Sequence, residues 1–356
     1  MLFIGSAIDL EDHITANAVY VVKAMAAHSQ VAHVSVLGLR VGRHDFGPEI
    51  PVTSLEHPLT PSLLARLITL VRFYWLAVRI IRRESIDVVY CYMTPTYPLL
   101  LCPIRLVLGT RVCLWYGHTS AGTLVKLSIS YCVDRWFTAN KSTTPFQHRS
   151  LRLVGQGVDQ DLFRSADFEK DYDFITVGRI SPIKKLDVII EALAVCAQSV
   201  GRDVSLEICG ETVHEDDEAY LNQLTDSVRD LNLGGTVAFA GKIDYIDMPG
   251  HYNRARSLVF ATPGGVSKVV MEAMSCAIPA VIAEPGMTDF LPEDLAAQVL
   301  CERDPQSLGR KMAEIINLTD EKRRVIGTSL RELVEEKYNL TALTDSIVTH
   351  MVEATA

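Results

Sequence analysis

Apolar and polar positions along this chain alternate in two recurring rhythms. Leu2–Ser6 is a short apolar run that reads as a strand, Ala16–Ala27 repeats its apolar residues with helical period, and Val31–Leu39 reads as a second strand. Ser62–Arg83 forms a long helix, and Ile86–Tyr92 and Arg111–Tyr116 are short strands rich in valine and aromatics. The rhythm then restarts. Strands are expected at Asp173–Val177, Val204–Cys209, Val237–Ala240, Ser257–Ala261 and Ala280–Ala283. Helices are expected near Leu186–Ser199, Glu218–Leu231, Lys268–Cys276, Pro305–Ile316, Asp320–Glu336 and Leu340–Glu353. Strands separated by helices imply parallel sheets covered on both faces. A restart implies two of them: two Rossmann-like, doubly wound α/β domains facing across a cleft, with ligands at the carboxyl ends of the strands. The boundary is expected in the polar stretch Arg164–Asp171.

The length, 356 residues, fits two domains, and a composition 48% hydrophobic and 22% charged is enough to bury a core. With 34 basic and 43 acidic residues the net charge is −9, which excludes a general nucleic-acid binder. The charge is unevenly spread: residues 1–165 carry net +5 and residues 166–356 net −14. Different partners for the two halves are therefore expected. The eight cysteines form no C-x-x-C pair and mostly sit in apolar runs, so a reduced, cytoplasmic compartment is expected and a zinc site is not. The opening MLFIGSAIDLED lacks a basic n-region, and no signal peptide is expected. The apolar run Val88–Ile104 is interrupted by Pro95, Pro98 and Pro103 and is too broken to span a bilayer.

Two segments carry candidate chemistry. Gly178-Arg179-Ile180-Ser181-Pro182-Ile183-Lys184-Lys185 lies between a strand and a helix, with Ser181 and Pro182 suited to begin that helix. Arg179 as a bidentate fork and Lys184 as a point charge, both at a strand's carboxyl end, suit a diphosphate. Two solvated surface cations are the alternative, and the strand-loop-helix setting outweighs it. Thr262-Pro263-Gly264-Gly265-Val266-Ser267-Lys268 also joins a strand to a helix. Its glycines allow close backbone approach, and the helix start offers free N–H groups to an anion. Glu272, one turn in, suits ribose hydroxyls; a surface glutamate is the alternative.

In sequence order these segments resemble a known family. VGRISPIKKLDVIIEAL is similar to the VGR-(L/I)-S-x-x-K-G-x-D signature of family-4 retaining glycosyltransferases of GT-B fold, and GGVSKVVMEAMSCAIPAVIA to their E-x7-E region. ITANAVYVVKAMA, SIDVVYCY, GQGVDQDLF, LEICG and VAFAGKI resemble further family segments, so the likeness spans nearly the whole chain. The resemblance implies a retaining, metal-independent transfer of a sugar from a UDP- or GDP-linked nucleotide-sugar to a glycan or lipid-linked acceptor, with no cofactor. It implies an acceptor domain at 1–165, joined by the closing helix within 338–356, and a nucleotide-sugar domain at 166–337. Arg179 and Lys184 would hold the diphosphate and stabilise its departing charge. Glu272 would meet the ribose, and the backbone of Gly178, Gly264, Gly265, Val266, Ser267 and Lys268 would meet the phosphates. Lys242 and Ile243 would lie against the base. His118, ending Trp115-Tyr116-Gly117-His118, matches a histidine facing the donor sugar, and Asn17 lies in the family's glycine-rich turn.

The chain also departs from that pattern. Gly264 stands where the family has its first glutamate, Ala16 where it has a turn glycine, and Lys185 and Ala277 where it has glycines. A degenerate homologue that binds a nucleotide-sugar or a partner without transfer is therefore the alternative. A nicotinamide enzyme ranks last, because no G-x-G-x-x-G follows the first strand. The D-x-D strings Asp159-Gln160-Asp161 and Asp171-Tyr172-Asp173 are read as ordinary aspartates, and the acidic run Glu215–Glu218 as a solvated loop. Arg66, Arg72, Arg79, Arg82 and Arg83 fall mostly on one side of the helix Pro61–Arg83. A core helix with a solvated face is the favoured reading, and peripheral contact with an anionic membrane on the cytoplasmic face is the other. The loop Tyr92–Pro98 and the turn Asp9–Asn17 are candidate acceptor walls.

Overall fold

The computed structural model describes residues 1–11, 16–57, 62–118, 121–265, 267–288 and 290–353, apart from the side chains of Ser142 and Pro285. It divides the chain into two compact units, Met1–Gly157 with Leu340–Ala356, and Val158–Asn339.

The first unit runs β1 (Leu2–Ile8), α1 (Asn17–Ala27), β2 (Ser35–Val41), β3 (Val52–Ser54), α2 (Leu63–Arg83), β4 (Val88–Tyr92), α3 (Thr96–Leu108), β5 (Arg111–Trp115), α4 (Thr123–Leu127), β6 (Arg135–Thr138) and β7 (Leu151–Leu153). The second runs β8 (Tyr172–Val177), α5 (Leu186–Val200), β9 (Leu206–Cys209), α6 (Glu215–Asp230), β10 (Val237–Gly241), α7 (Met248–Arg254), β11 (Ala255–Phe260), α8 (Lys268–Ser275), β12 (Ala280–Ile282), α9 (Glu293–Val299), α10 (Pro305–Ile316) and α11 (Asp320–Lys337). The closing helix α12 (Leu340–Glu353) belongs to the first unit.

Both sheets are parallel. The first has seven strands in the order β3-β2-β1-β4-β5-β6-β7 and the second five in the order β10-β9-β8-β11-β12. Their strands are apolar on both sides, as burial on both faces requires. One face of the first sheet packs Phe73, Ala77, Ile80 and Ile81 of α2 with Tyr97, Leu101 and Ile104 of α3. The other packs Val19, Val22 and Met25 of α1 with Leu343, Ile347 and Met351 of α12. In each sheet the first strand of the unit, β1 or β8, has its sequence successors on one side and later strands on the other. That reversal opens a crevice at the carboxyl edge, where ligands of such sheets bind.

Three elements differ from the sequence reading. The proline-broken run after β4 is helical: α3 accepts Pro98 in its first turn, where the missing N–H has no intrahelical partner, and also carries Pro103. The acidic run Glu215–Glu218 is the first turn of α6, not a loop, and a capping box joins His214 to Asp217. Four carboxylates at a helix start are stabilised by the exposed N–H groups there. The second unit begins before Arg164, because the backbone of Val158 bridges Asn339 and Phe163 is fully buried against Tyr245 and Tyr252.

Candidate functional site

Because the second sheet is parallel, the loops after β8, β9, β10 and β11 all leave it at the carboxyl edge. The first three are tied together by backbone. Gly178 N–H donates to Cys209 O at 2.9 Å, Gly210 N–H to Gly241 O at 2.8 Å, and Ile180 N–H to Glu211 O at 2.9 Å. Gly210 has φ +154°, and a Cβ there would sit 2.0 Å from Gly178 O. Only glycine lets the two loops pack this closely.

Arg179 and Lys184 project from this edge. The Lys184 side chain lies over Gly178: a Cβ on that residue would meet Lys184 Cε at 3.1 Å. Burial first, and the like charge of Arg179 second, push the Lys184 ammonium below its ordinary range. Among the described residues no carboxylate pairs with either cation. Ser181 does not cap the helix as expected. Its hydroxyl makes no cap bond and is buried without a partner. The reason lies one turn on: Pro182–Lys184 is a 3-10 turn, and Lys185 at φ +55° redirects the chain into α5. Lys185 thus holds a left-handed conformation that favours glycine.

The β11 loop brings Gly264 (φ +128°) and Gly265 (φ +83°) to the start of α8. Val266 lies outside the described residues. Ser267 occupies the N-cap without a side-chain bond, so its hydroxyl leaves the first-turn N–H groups unanswered. Gly264 faces open space, yet its backbone geometry is one that L side chains rarely adopt. A glutamate at this position would have to hold that strained backbone. Gly265 N–H is braced by Glu284 Oε1 at 3.3 Å, which also takes Gly286 N–H at 3.1 Å, while Arg303 pairs with the other carboxylate oxygen. This brace was not singled out from the sequence; the only signal was a further glycine after a strand, in Ala283-Glu284-Pro285-Gly286.

Glu272 is buried, contrary to the surface alternative. Oε1 accepts from Tyr245 Oη at 3.0 Å and Oε2 from Tyr252 Oη at 3.1 Å, and Lys268 Nζ stands 3.3 Å from Oε1. The same ammonium lies 4.4 Å from the centre of the Tyr245 ring. Burial lowers the Lys268 pKa, and Glu272 opposes that shift. Burial and the neighbouring carboxylate hold the Tyr252 phenol well above its usual range. Both carboxylate oxygens thus have protein partners. The tyrosines went unmarked at the sequence level, because only the turn after Gly241 brings Tyr245 beside α7. Ile243 is half-buried and Lys242 exposed in that turn.

Neither D-x-D string forms an acidic pair. Asp159 Oδ1 accepts from the N–H groups of Asp161 and Leu162, both at 3.0 Å, and Asp173 accepts two bonds from Arg202 at 2.9 and 3.0 Å. One cluster of metal-type ligands exists among the described residues: Glu207 and Cys209 on one face of β9, and His251 on α7, with ligand atoms within 4.8 Å. His251 Nδ1 lies 3.0 Å from a Glu207 oxygen, a buried acid–imidazole pair in its own right.

In the first unit, Asn17 opens α1 and its Nδ2 donates to Tyr92 Oη at 3.1 Å, while its Oδ1 is buried without a partner. This bond ties the two expected acceptor walls together at the carboxyl ends of β1 and β4; residues 12–15 of the turn lie outside the described residues. Ala16 keeps φ at −50°, so it fits without the family glycine. His118 follows β5, is exposed, and stacks on Tyr116 at 6.2 Å; its N–H donates to Thr143 O at 3.1 Å.

Two parallel, doubly wound sheets in one chain, the second with glycine loops and cations at its carboxyl edge, define the GT-B fold, and solved GT-B structures match it over its whole length. Anabaena HepE in complex with UDP and glucose matches with TM-score 0.77 at 15% identity, covering 99% of this chain and 98% of that one. Sucrose-phosphate synthase from Thermosynechococcus elongatus matches with TM-score 0.76 at 16% identity, covering 100% and 99%. Residues 158–332, nearly the whole of the second unit, match the family described as Glycosyl transferases group 1. Mannosylfructose-phosphate synthase from Agrobacterium fabrum (strain C58 / ATCC 33970) is 30% identical over 116 residues, which is 32% of this chain and 25% of that relative's length.

Proposed function

We propose that this protein is a retaining, metal-independent glycosyltransferase that moves a sugar from a UDP- or GDP-linked nucleotide-sugar to a glycan or lipid-linked acceptor, without a cofactor. The observation that carries the reading is the pair Arg179 and Lys184, two cations without carboxylate partners among the described residues, beside a cluster of strand-end glycines. In the proposed step the bond from the anomeric carbon to the diphosphate oxygen breaks and its electron pair stays on the diphosphate. The acceptor hydroxyl bonds to that carbon and gives its proton to the departing phosphate oxygen. Arg179 and Lys184 answer the charge that develops there, supplying what a divalent cation supplies at other phosphate sites. The backbone of Gly265 and the start of α8 add fixed dipoles of the same sign. Asn17 and His118 take the contacts to the donor and its sugar that the family resemblance assigns.

Gly264 supports a second reading, a protein that binds a nucleotide-sugar without transfer, because no carboxylate stands where the family places one and the local φ of +128° disfavours any. One assay separates the two: incubation with UDP-, GDP- and ADP-sugars while nucleotide release is followed. Release that Arg179→Ala abolishes supports transfer. Tight binding of the donor with no release, across candidate glycan and lipid-linked acceptors, supports the second reading and refutes the first.

A further inference from the structure

α2 does not bury its apolar residues as a core helix would. Only Phe73, Ala77, Ile80 and Ile81 are buried. Leu63, Leu64, Leu67, Ile68, Val71 and Trp75 are all more than half exposed. At 100° per residue, Leu64, Leu67, Ile68, Val71 and Trp75 fall within an outward arc of about 100°, opposite the buried side. Their strip runs roughly 17 Å along the helix. Arg79 and Arg82 continue it, and the Arg79 guanidinium sits 5.0 Å from the centre of the Trp75 ring. The helix holds five arginines and no acidic residue. Arg72 pairs with Glu56; among the described residues no acid pairs with Arg66, Arg79, Arg82 or Arg83. The neighbouring α3 adds exposed Leu106 and Val107 on the same side of the sheet.

We propose that this outward face is a docking surface for an anionic phospholipid bilayer and seats the first unit on a membrane without crossing it. Soluble chains rarely leave so continuous an apolar strip in water. An interfacial helix needs an apolar face, an aromatic at its margin and cations that reach the headgroups, and α2 has all three. The charge complement selects the occupant. A second copy of this face would set arginines against a strip with no carboxylate to answer them, whereas anionic headgroups do so along its whole basic end. Among the described residues no helix is long and apolar enough to cross a membrane, so the contact is peripheral.

The full chain is tested on vesicles of phosphatidylcholine, alone and mixed with phosphatidylglycerol. Trp75 is a built-in reporter, because it is exposed while Trp115 and Trp136 are buried. The protein should float with the anionic vesicles, weakly or not at all with phosphatidylcholine alone, and less as salt rises. Its tryptophan emission should shift to the blue on binding, and Trp75→Phe should remove that shift. The pair Leu67→Ser and Val71→Ser should weaken partitioning by about tenfold or more, with UDP affinity unchanged as proof of fold. Three results overturn the proposal: no association with anionic vesicles at low salt, association that leaves Trp75 emission unmoved, or a concentration-dependent dimer that the serine pair makes monomeric. UDP binding is read separately in each variant, so failure here leaves the transferase reading standing.

Discussion

Lys184 should serve binding at a cost to the fold, and Lys184→Met separates the two. Its side chain is half-buried, lies where a Cβ on Gly178 would sit, and faces the like charge of Arg179. A charge-assisted bond to a phosphate contributes about 1.5–3 kcal/mol, so its loss should weaken UDP or GDP binding roughly 10- to 100-fold. Among the described residues the same cation has no acid to answer it. Replacing it with a neutral side chain of similar length should stabilise the fold by about 1 kcal/mol, and raise the melting temperature of the unliganded protein by about 2–4 °C. The pH dependence follows from the direction of the shift. A lysine whose folded pKa lies below the ordinary 10.5 binds fewer protons folded than unfolded between those two values. Wild type should therefore gain stability relative to the variant as pH rises through the lowered pKa toward 10.5. Isothermal titration and thermal melts with and without UDP read both effects. A variant that binds UDP as tightly as wild type, or one that melts lower without ligand, would refute the reasoning.

Ala277→Gly should stabilise the protein by about 0.5–1 kcal/mol in urea unfolding, because Ala277 sits at φ +57° and the relief of left-handed strain exceeds the added chain entropy of glycine; a loss of stability would show that the strain is absent. Gly210→Ala should cost about 3 kcal/mol or more, since its Cβ would overlap Gly178 O at 2.0 Å, and, if the proposed donor site is right, should shift the Gly178–Lys185 loop enough to weaken UDP binding as well. Glu272→Gln should cost about 1–3 kcal/mol by leaving the half-buried Lys268 without its counter-charge, and Lys268→Met in the same chain should restore most of it; failure of the second change to rescue would mean the pair is not the cause. Asp134 and Asp173 are both held below the ordinary carboxylate range: burial pushes each upward, but bonds from Arg105 and Val112, and from Arg202 and Ser205, outweigh it. Their contribution should be intact above about pH 4 and lost as pH falls through the lowered values, so Asp173→Asn should flatten the acid limb of the stability curve.

The doubly wound architecture is readable because parallel strands buried on both faces leave continuous apolar runs, and because three of the five strands of the second unit, β8, β9 and β10, end at a glycine. Val177-Gly178, Cys209-Gly210 and Ala240-Gly241 mark the carboxyl edge in the sequence itself. The sequence is silent where a tertiary contact decides. Phe163 reads as the tail of the first domain, ahead of the polar stretch Arg164–Asp171, until Tyr245 and Tyr252 close on it. Glu215–Glu218 reads as loop because its signal, carboxylates stabilised by a helix start, looks like solvation when the helix is not yet known. Glu284 gave no sign of bracing Gly265, since nineteen residues and a strand separate them.

α2 departs furthest from the pattern, because its sequence carries the period of its apolar residues but not their direction. A helix with a basic stripe and an apolar remainder is expected to turn its apolar part inward. Here the inward arc is short, four residues from Phe73 to Ile81, because only the second half of α2 lies over the sheet with α3. The first half carries leucines at the same period but on the opposite side, so the apolar moment rotates along the helix. Burial of the C-terminal half fixes the rotation of the whole rigid element, which forces Leu64, Leu67, Val71 and Trp75 outward. Neither half is unusual alone. It is the mismatch of phase between them that leaves an apolar strip in water, and a chain under selection only for folding would be expected to carry polar residues there.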